Sequence, residues 1–273
     1  MNYKLLLAVP LIVLAISAAY LILQVTTTGL SLDVDLKGGT LITAETMSSV
    51  NENSIEDVLA KYEVDVRIAS GITGNSVFIE FDSSIDPQEV ISTLENGGYT
   101  FDDYSVQTVG PSLGAASFQQ AIIVLIFAFA FMAGTILFIF KIPLISFYIA
   151  LCPAFDIIET LAISQLIGIK LSLASFAALL MIIGYSVDDD VMIATRILKS
   201  TGDVKGRLKD SFKTSFTTTA ATLVALTALY AISLSTVITQ IASILLIGLI
   251  VDLQNTWLFD TTLLRWYTER KSK

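Results

Sequence analysis

The sequence predicts a polytopic α-helical membrane protein with six spans and an external α+β domain set between the first span and the second. Three observations lead there. Hydrophobic residues fill 54% of the 273 positions and charged residues only 15%, with a mean hydropathy of +0.74, outside the habit of soluble globular chains. Several apolar runs are each long enough to cross ~30 Å of hydrocarbon at about 1.5 Å per helical residue. One long polar stretch interrupts them, and it is strongly acidic.

The spans are expected at residues 5–25, 118–140, 142–169, 171–194, 212–234 and 237–264. The first is too long for a signal peptide and lacks a clear small-residue cleavage site, so it is expected to be retained. Residues 214–251 carry no charge, and Ser233-Leu234-Ser235 is their one plausible turn. They therefore form two spans with a very short link. Arg196, Lys199, Lys205, Arg207, Lys209 and Lys213 crowd one loop, and Arg265, Arg270, Lys271 and Lys273 crowd the C-terminus. Lys4 and Lys141 fall on that same side, whereas Lys170 marks a loop opposite. Basic residues favour the cytoplasmic side, which puts both termini inside a cell membrane and residues 26–117 outside. Residues 118–264 then form a five-helix bundle and 265–273 a basic cytoplasmic tail.

The external domain, 26–117, holds fifteen acids against Lys37, Lys61 and Arg67. Such a surface seeks neither nucleic acid nor anionic lipid and suits solubility or protein partners. Residues 39–46 alternate like a strand, and a helix opens at Ser54 and runs to Tyr62. Strands follow at 64–69 and 76–81, joined through Gly71 and a Gly74-Asn75 turn. Asp86-Pro87-Gln88-Glu89 combines an N-cap, a first-turn proline and a capping-box acid. That helix stops at Gly97-Gly98, and 101–109 is the last strand. The order strand-helix-strand-strand-helix-strand is that of a ferredoxin-like module.

Chemistry concentrates in the membrane acids. Asp188-Asp189-Asp190 follow the charge-free run 171–187, and apolar residues continue beyond them. An ionisable group at membrane depth costs ~2.5–3.5 kcal/mol on insertion scales and is kept chiefly for ion or proton paths. The chain has no histidine, so proton work falls to carboxylates. Asp189 lies about 10 Å into its span, counted from Arg196, level with Thr217 and Thr218; Asp156 and Asp252 lie about 20 Å from their span ends. Asp189 is the leading proton carrier, against a helix-end acid paired to Arg196 or Lys213. Asp156 is balanced between relay and interhelical hydrogen bonding. Asp188 and Asp190 point about 100° to either side of Asp189, so the three do not share one pocket. Thr214, Ser215, Thr217 and Thr218 also suit close helix packing. The sole cysteine, Cys152, excludes an intramolecular disulfide, and no G-x-x-x-x-G-K-[ST] loop indicates ATP.

Several segments carry a family resemblance. Asp35-Leu36-Lys37-Gly38-Gly39-Thr40 is similar to the D-x-x-G-G-T after the first span of the SecF branch of protein-export membrane proteins. The run from Ile183 to Asp189 resembles that branch's fourth-span I-G-Y-S-[IV]-N-D motif. Asp156 and Thr214-Ser215-Phe216-Thr217-Thr218 match its third and fifth spans. One span, an external domain and five more spans look like half of a resistance-nodulation-division (RND) transporter. Asp188 in place of Asn, Thr195 in place of an acid, and Asp210 in place of Arg indicate an archaeal type, as does a last span reading Asp252-Leu253-Gln254-Asn255 to Asp260. Such a resemblance implies a non-enzymatic subunit of the Sec translocon, paired with a SecD-like subunit beside SecY. A proton or sodium gradient and no cofactor would drive movement of a translocating polypeptide. Gly38 and Gly39 suit backbone geometry where strand meets membrane. Two rival readings are a half-size RND-type exporter of lipids or small molecules, and an intramembrane aspartyl protease using Asp156 and Asp189. The protease motif G-x-G-D is absent from Gly184-Tyr185-Ser186-Val187-Asp188.

Overall fold

The computed structural model describes residues 3–46, 51–71, 74–99, 101, 103–199, 204–233 and 235–271. Helix α1 (Tyr3–Thr27) leads through a short α2 (Val34–Lys37) into strand β1 (Gly39–Thr46). Next come α3 (Glu52–Val58), β2 (Val64–Gly71), β3 (Gly74–Phe81), α4 (Pro87–Asn96) and β4 (Asp103–Val109). The remaining helices are α5 (Pro111–Phe140), α6 (Pro143–Leu166), α7 (Leu173–Lys199), α8 (Val204–Ile232) and α9 (Thr236–Asn255). A π-helical turn, Thr256–Asp260, then joins α9 to α10 (Thr261–Lys271).

The four strands form one antiparallel sheet in the order β2-β3-β1-β4. Ile79 stands opposite both Ile42 and Val66, so alternate residues of three strands share one face. Ile55 of α3, Leu59 at its C-cap, and Val90 and Leu94 of α4 bury that face. The opposite face carries Asp65, Arg67 and Glu80 and is turned to the helical bundle. Strand β4 lies at the sheet edge with six of its seven residues exposed.

Cap chemistry departs from expectation at two places. The α3 cap is Asn51, which accepts the Asn53 N–H at 3.1 Å, so the helix begins two residues before Ser54. Asp86 caps α4 through Gln88 N–H at 2.9 Å. Glu89, however, turns its carboxylate to Tyr62 (2.6 Å) and Lys61 (2.9 Å), because the α3–β2 loop passes within reach. Burial, and then hydrogen bonds, leave their mark elsewhere too: the Asp35 carboxyl is pushed up from its ordinary range by burial and by Asp33, against donors from Gln107 and the Leu173 backbone.

Five helical segments among the described residues are long and apolar enough to cross a membrane: 7–27, 111–140, 143–166, 206–232 and 236–268. Helix α7, at 27 residues, has the length but carries the aspartate triplet. Helix α5 starts at Pro111, seven residues before the expected span, since only Gly110 separates it from β4. Exposed Phe131, Phe138, Ile16 and Val224 cover the bundle's outside, whereas α9 packs against α6, α7 and α8 at its centre. The expected link at 233–235 includes Leu234, outside the described residues.

Candidate functional site

Three helices each turn a polar stripe into the same place. Asp156, Glu159 and Thr160 on α6 are spaced i, i+3, i+4, so they share a face, and all three are fully buried. On α7 the four-residue spacing does the same for Ser186 and Asp190. On α9, Asp252, Asn255 and Thr256 continue into the π-helical turn, which ends on buried Asp260. Gly248 lets α9 approach α7: a Cβ there would lie 2.1 Å from Ile182 Cδ1.

The result is a cage of five carboxylates. Ser186 Oγ donates to Asp156 Oδ2 at 2.7 Å. Asn255 Nδ2 donates to Asp156 Oδ1 at 2.9 Å and to Glu159 Oε2 at 3.2 Å. Thr256 Oγ1 lies 3.1 Å from Asp190 Oδ1 and 3.2 Å from Asp252 Oδ1. Several buried polar atoms have no partner: Glu159 Oε1, Asp190 Oδ2, Asn255 Oδ1 and both oxygens of Asp260. Among the described residues, no lysine or arginine is paired with any of the five acids.

Of the predicted site residues, Asp156 and Asp252 are brought together here. Asp189 lies beside the cage, facing α8, where Ser215 Oγ donates to its Oδ2 at 2.5 Å. Asp188 points outward beside Met181, Gly184 and Tyr185 and stays outside the cluster. Arg196 does not reach Asp189; its Nη1 donates to Thr214 Oγ1 at 3.3 Å. Thr214, Thr217 and Thr218 return their hydroxyls to the carbonyls of Asp210, Lys213 and Thr214 on their own helix. Sequence reasoning left Asp190 out of the relay and passed over Glu159, although Asp156-x-x-Glu159-Thr160 has helical spacing within an apolar run.

The Asp35–Thr40 motif serves the junction between sheet and bundle. Gly38 has φ +84° and ψ 164°, a region open in practice to glycine alone, and a Cβ there would lie 2.6 Å from Pro111 Cα. Gly39 has φ +132°. Gln107 Nε2 donates to Asp35 Oδ1 at 2.7 Å, and buried Thr40 hydrogen-bonds Thr108 across the sheet at 3.1 Å. Chain 31–33 runs beside Leu171, with Asp33 N–H on the Leu171 carbonyl at 2.7 Å and Leu171 N–H on that of Ser31 at 2.8 Å. Glu80, buried on the sheet's bundle-facing side, pairs with Lys37 at 3.1 Å, Lys170 at 2.8 Å and Arg67. Lys170 also reaches Asp65 at 2.9 Å.

Apolar helices around unpaired internal acids, under a docked sheet, define a multi-pass membrane protein. The family model for the C-terminal part of SecD/SecF protein export membrane proteins matches residues 89–270. A protein-export membrane protein SecF from Methanothermobacter thermautotrophicus is 36% identical, over 99% of this chain and 94% of the relative. The one from Methanolacinia petrolearia is 35% identical, over 99% and 95%. Among solved structures, a SecDF from Thermus, titled a translocon-associated membrane protein, superposes with a TM-score of 0.76 at 18% identity. It is matched over 97% of this chain, which spans 38% of the SecDF chain. SecDF in a super-membrane-facing form gives 0.60 at 17% identity. The chain belongs to the SecD/SecF family of protein-export membrane proteins, in its SecF branch.

Proposed function

We propose that the chain is an auxiliary subunit of the Sec translocase that works with a SecD-like subunit, beside SecY, and uses the proton-motive force to promote export of polypeptides. The observation that carries this reading is the cage of five buried carboxylates with no basic partner among the described residues. Uncompensated acids at membrane depth are costly and are kept where charge must move. Asp156 and Asp252 belong to that relay, with Asp189 at its α8 side. Helix α7 serves as a sixth span, because two of its three acids face neighbouring helices. The β2-β3-β1-β4 order of a strand-helix-strand-strand-helix-strand chain supports a ferredoxin-like module at 26–117. Lys170 at the sheet-facing end, with Arg196 and Arg207 at the other, supports an outside sheet and cytoplasmic termini.

The test is pulse-chase export of a secreted reporter in cells carrying Asp156→Asn or Asp189→Asn at normal abundance. Slowed export with the complex assembled is expected. Unchanged export in both variants retires the relay.

A further inference from the structure

We propose that the cleft between the sheet and the α8–α9 end of the bundle is a lipid site, which takes the phosphodiester headgroup of a phospholipid. It lies apart from the buried acids and does not depend on the export reading.

The cleft holds about 260 Å³, with Arg67 and Phe78 of the sheet on one wall and Tyr230, Thr239 and Ser243 of the bundle on the other. That is just short of the roughly 300–1,000 Å³ of sites that enclose a whole small ligand. A headgroup fits, and its acyl chains stay outside. A surface for those chains lies alongside: Ile232, Val237 and Ile238, at the adjoining ends of α8 and α9, are all exposed. Tyr230 is exposed as well, and tyrosine favours the level where hydrocarbon gives way to headgroups.

Charge selects the headgroup. The domain as a whole is acidic, but two of its three bases, Lys37 and Arg67, gather on the bundle-facing side of the sheet, where Lys170 joins them. Against these three cations stand Glu80 and Asp65, which leaves the five side chains with one net positive charge. Asp33, the next acid, is held by the Gln240 amide at 3.0 Å and the Val34 N–H at 2.7 Å. Arg67 gives an N–H to Glu80 through Nη2, and its Nε–H makes no hydrogen bond among the described residues. A guanidinium carries five N–H donors in a planar fork that suits phosphate oxygens. On the facing wall, Thr239 and Ser243 turn their hydroxyl hydrogens to the carbonyls of Ser233 and Thr239, so they keep only lone pairs for a ligand. The cleft therefore offers a cation to the phosphate and acceptors to a hydroxyl or ammonium group beyond it. Glycerol and ethanolamine headgroups supply that donor, and choline, with no N–H or O–H, does not.

The test uses the full chain, purified in detergent and stripped of endogenous lipid. Phosphatidylglycerol is titrated in, and retained lipid is counted by native mass spectrometry. Ser243→Leu, which fills the cleft from the bundle wall, and Arg67→Gln are each expected to weaken retention of one lipid by about tenfold, the scale of a lost charge-assisted hydrogen bond. Ser243 lies outside the Glu80 ion cluster, so its variant keeps the sheet docked, which limited proteolysis checks. Phosphatidylethanolamine is expected to replace phosphatidylglycerol at this site, phosphatidylcholine to hold more weakly and diacylglycerol not to hold at all. Equal retention in wild type and Ser243→Leu overturns the proposal, as does diacylglycerol held as firmly as phosphatidylglycerol. Displacement of the lipid by an equal concentration of inorganic phosphate marks a free-anion site and overturns it too.

Discussion

Two buried acid sites in this molecule solve the same electrostatic problem in opposite ways. Glu80, on the sheet, is 3% exposed and meets Lys37, Arg67 and Lys170. The cage between α6, α7 and α9 buries five carboxylates among hydroxyls and one amide, with no cation paired to them among the described residues. Where counter-charges come from fixed side chains, the acid is pinned and the surfaces it joins are held in register. Where none is supplied, a buried carboxyl is neutralised by protonation. The first arrangement is a fastening, and the second is the one on which the proposed relay rests.

Breaking the fastening should give the largest effect. Glu80→Gln leaves Lys170, only 9% exposed, with Asp65 as its remaining acid partner among the described residues, and breaking a buried pair costs up to about 3–5 kcal/mol. Limited proteolysis of the sheet domain and a lowered unfolding temperature would report it. A wild-type profile would mean that the ion cluster is not what holds the sheet down. Next in size, Gly38→Ala forces a side chain into a glycine-only conformation, costing about 1–3 kcal/mol, with a further clash against Pro111. The same proteolysis assay reads it, with Gly110→Ala as a control at a position of ordinary φ where a Cβ meets nothing within 4 Å.

The cage should respond with the opposite sign. Asp156→Asn, which takes one acid out of an unpaired set, is expected to leave stability level or raise it while export slows. A strong loss of stability, matching that of Glu80→Gln, would erase the distinction between the two sites. The smallest effect belongs to the exposed Lys61–Glu89 pair. The Tyr62 hydroxyl, and then Lys61, hold the Glu89 carboxyl below its ordinary value. Because the folded value is depressed, that contribution is present above the ordinary glutamate pKa of about 4.3 and is lost as pH falls through the folded value. Glu89→Gln should therefore flatten only the acid limb of a stability–pH curve.

Much of this was legible in sequence because membrane burial leaves a coarse mark. Charge-free runs announce the helices, and Asp156 and Asp252 stand out within them by depth counting alone. Helical phase is finer. Asp188, Asp189 and Asp190 are adjacent, and which of them enters the core depends on how α7 is rolled against α9, where Gly248 admits Ile182. That roll puts Asp190 inside, Asp189 on Ser215 and Asp188 outside, whereas the motif had drawn notice to Asp188 and Asp189. Glu89 shows the same limit on a small scale: a capping-box spacing predicts a local bond, and a nearer tyrosine and lysine take the carboxylate instead.

Taken by itself, the sequence determined the membrane class, the placing of an acidic domain after the first span, the family, and the absence of histidine. These follow from composition and from short-range periodicity, which the chain carries locally. Tertiary structure alone decided which acids meet. Glu80 and Lys170 are 90 residues apart, and Asn255 and Asp156 are 99. Such pairs depend on the rotation and depth of packed helices, set by close contacts such as Gly248 on Ile182 and by a π-helical turn that no local pattern announced.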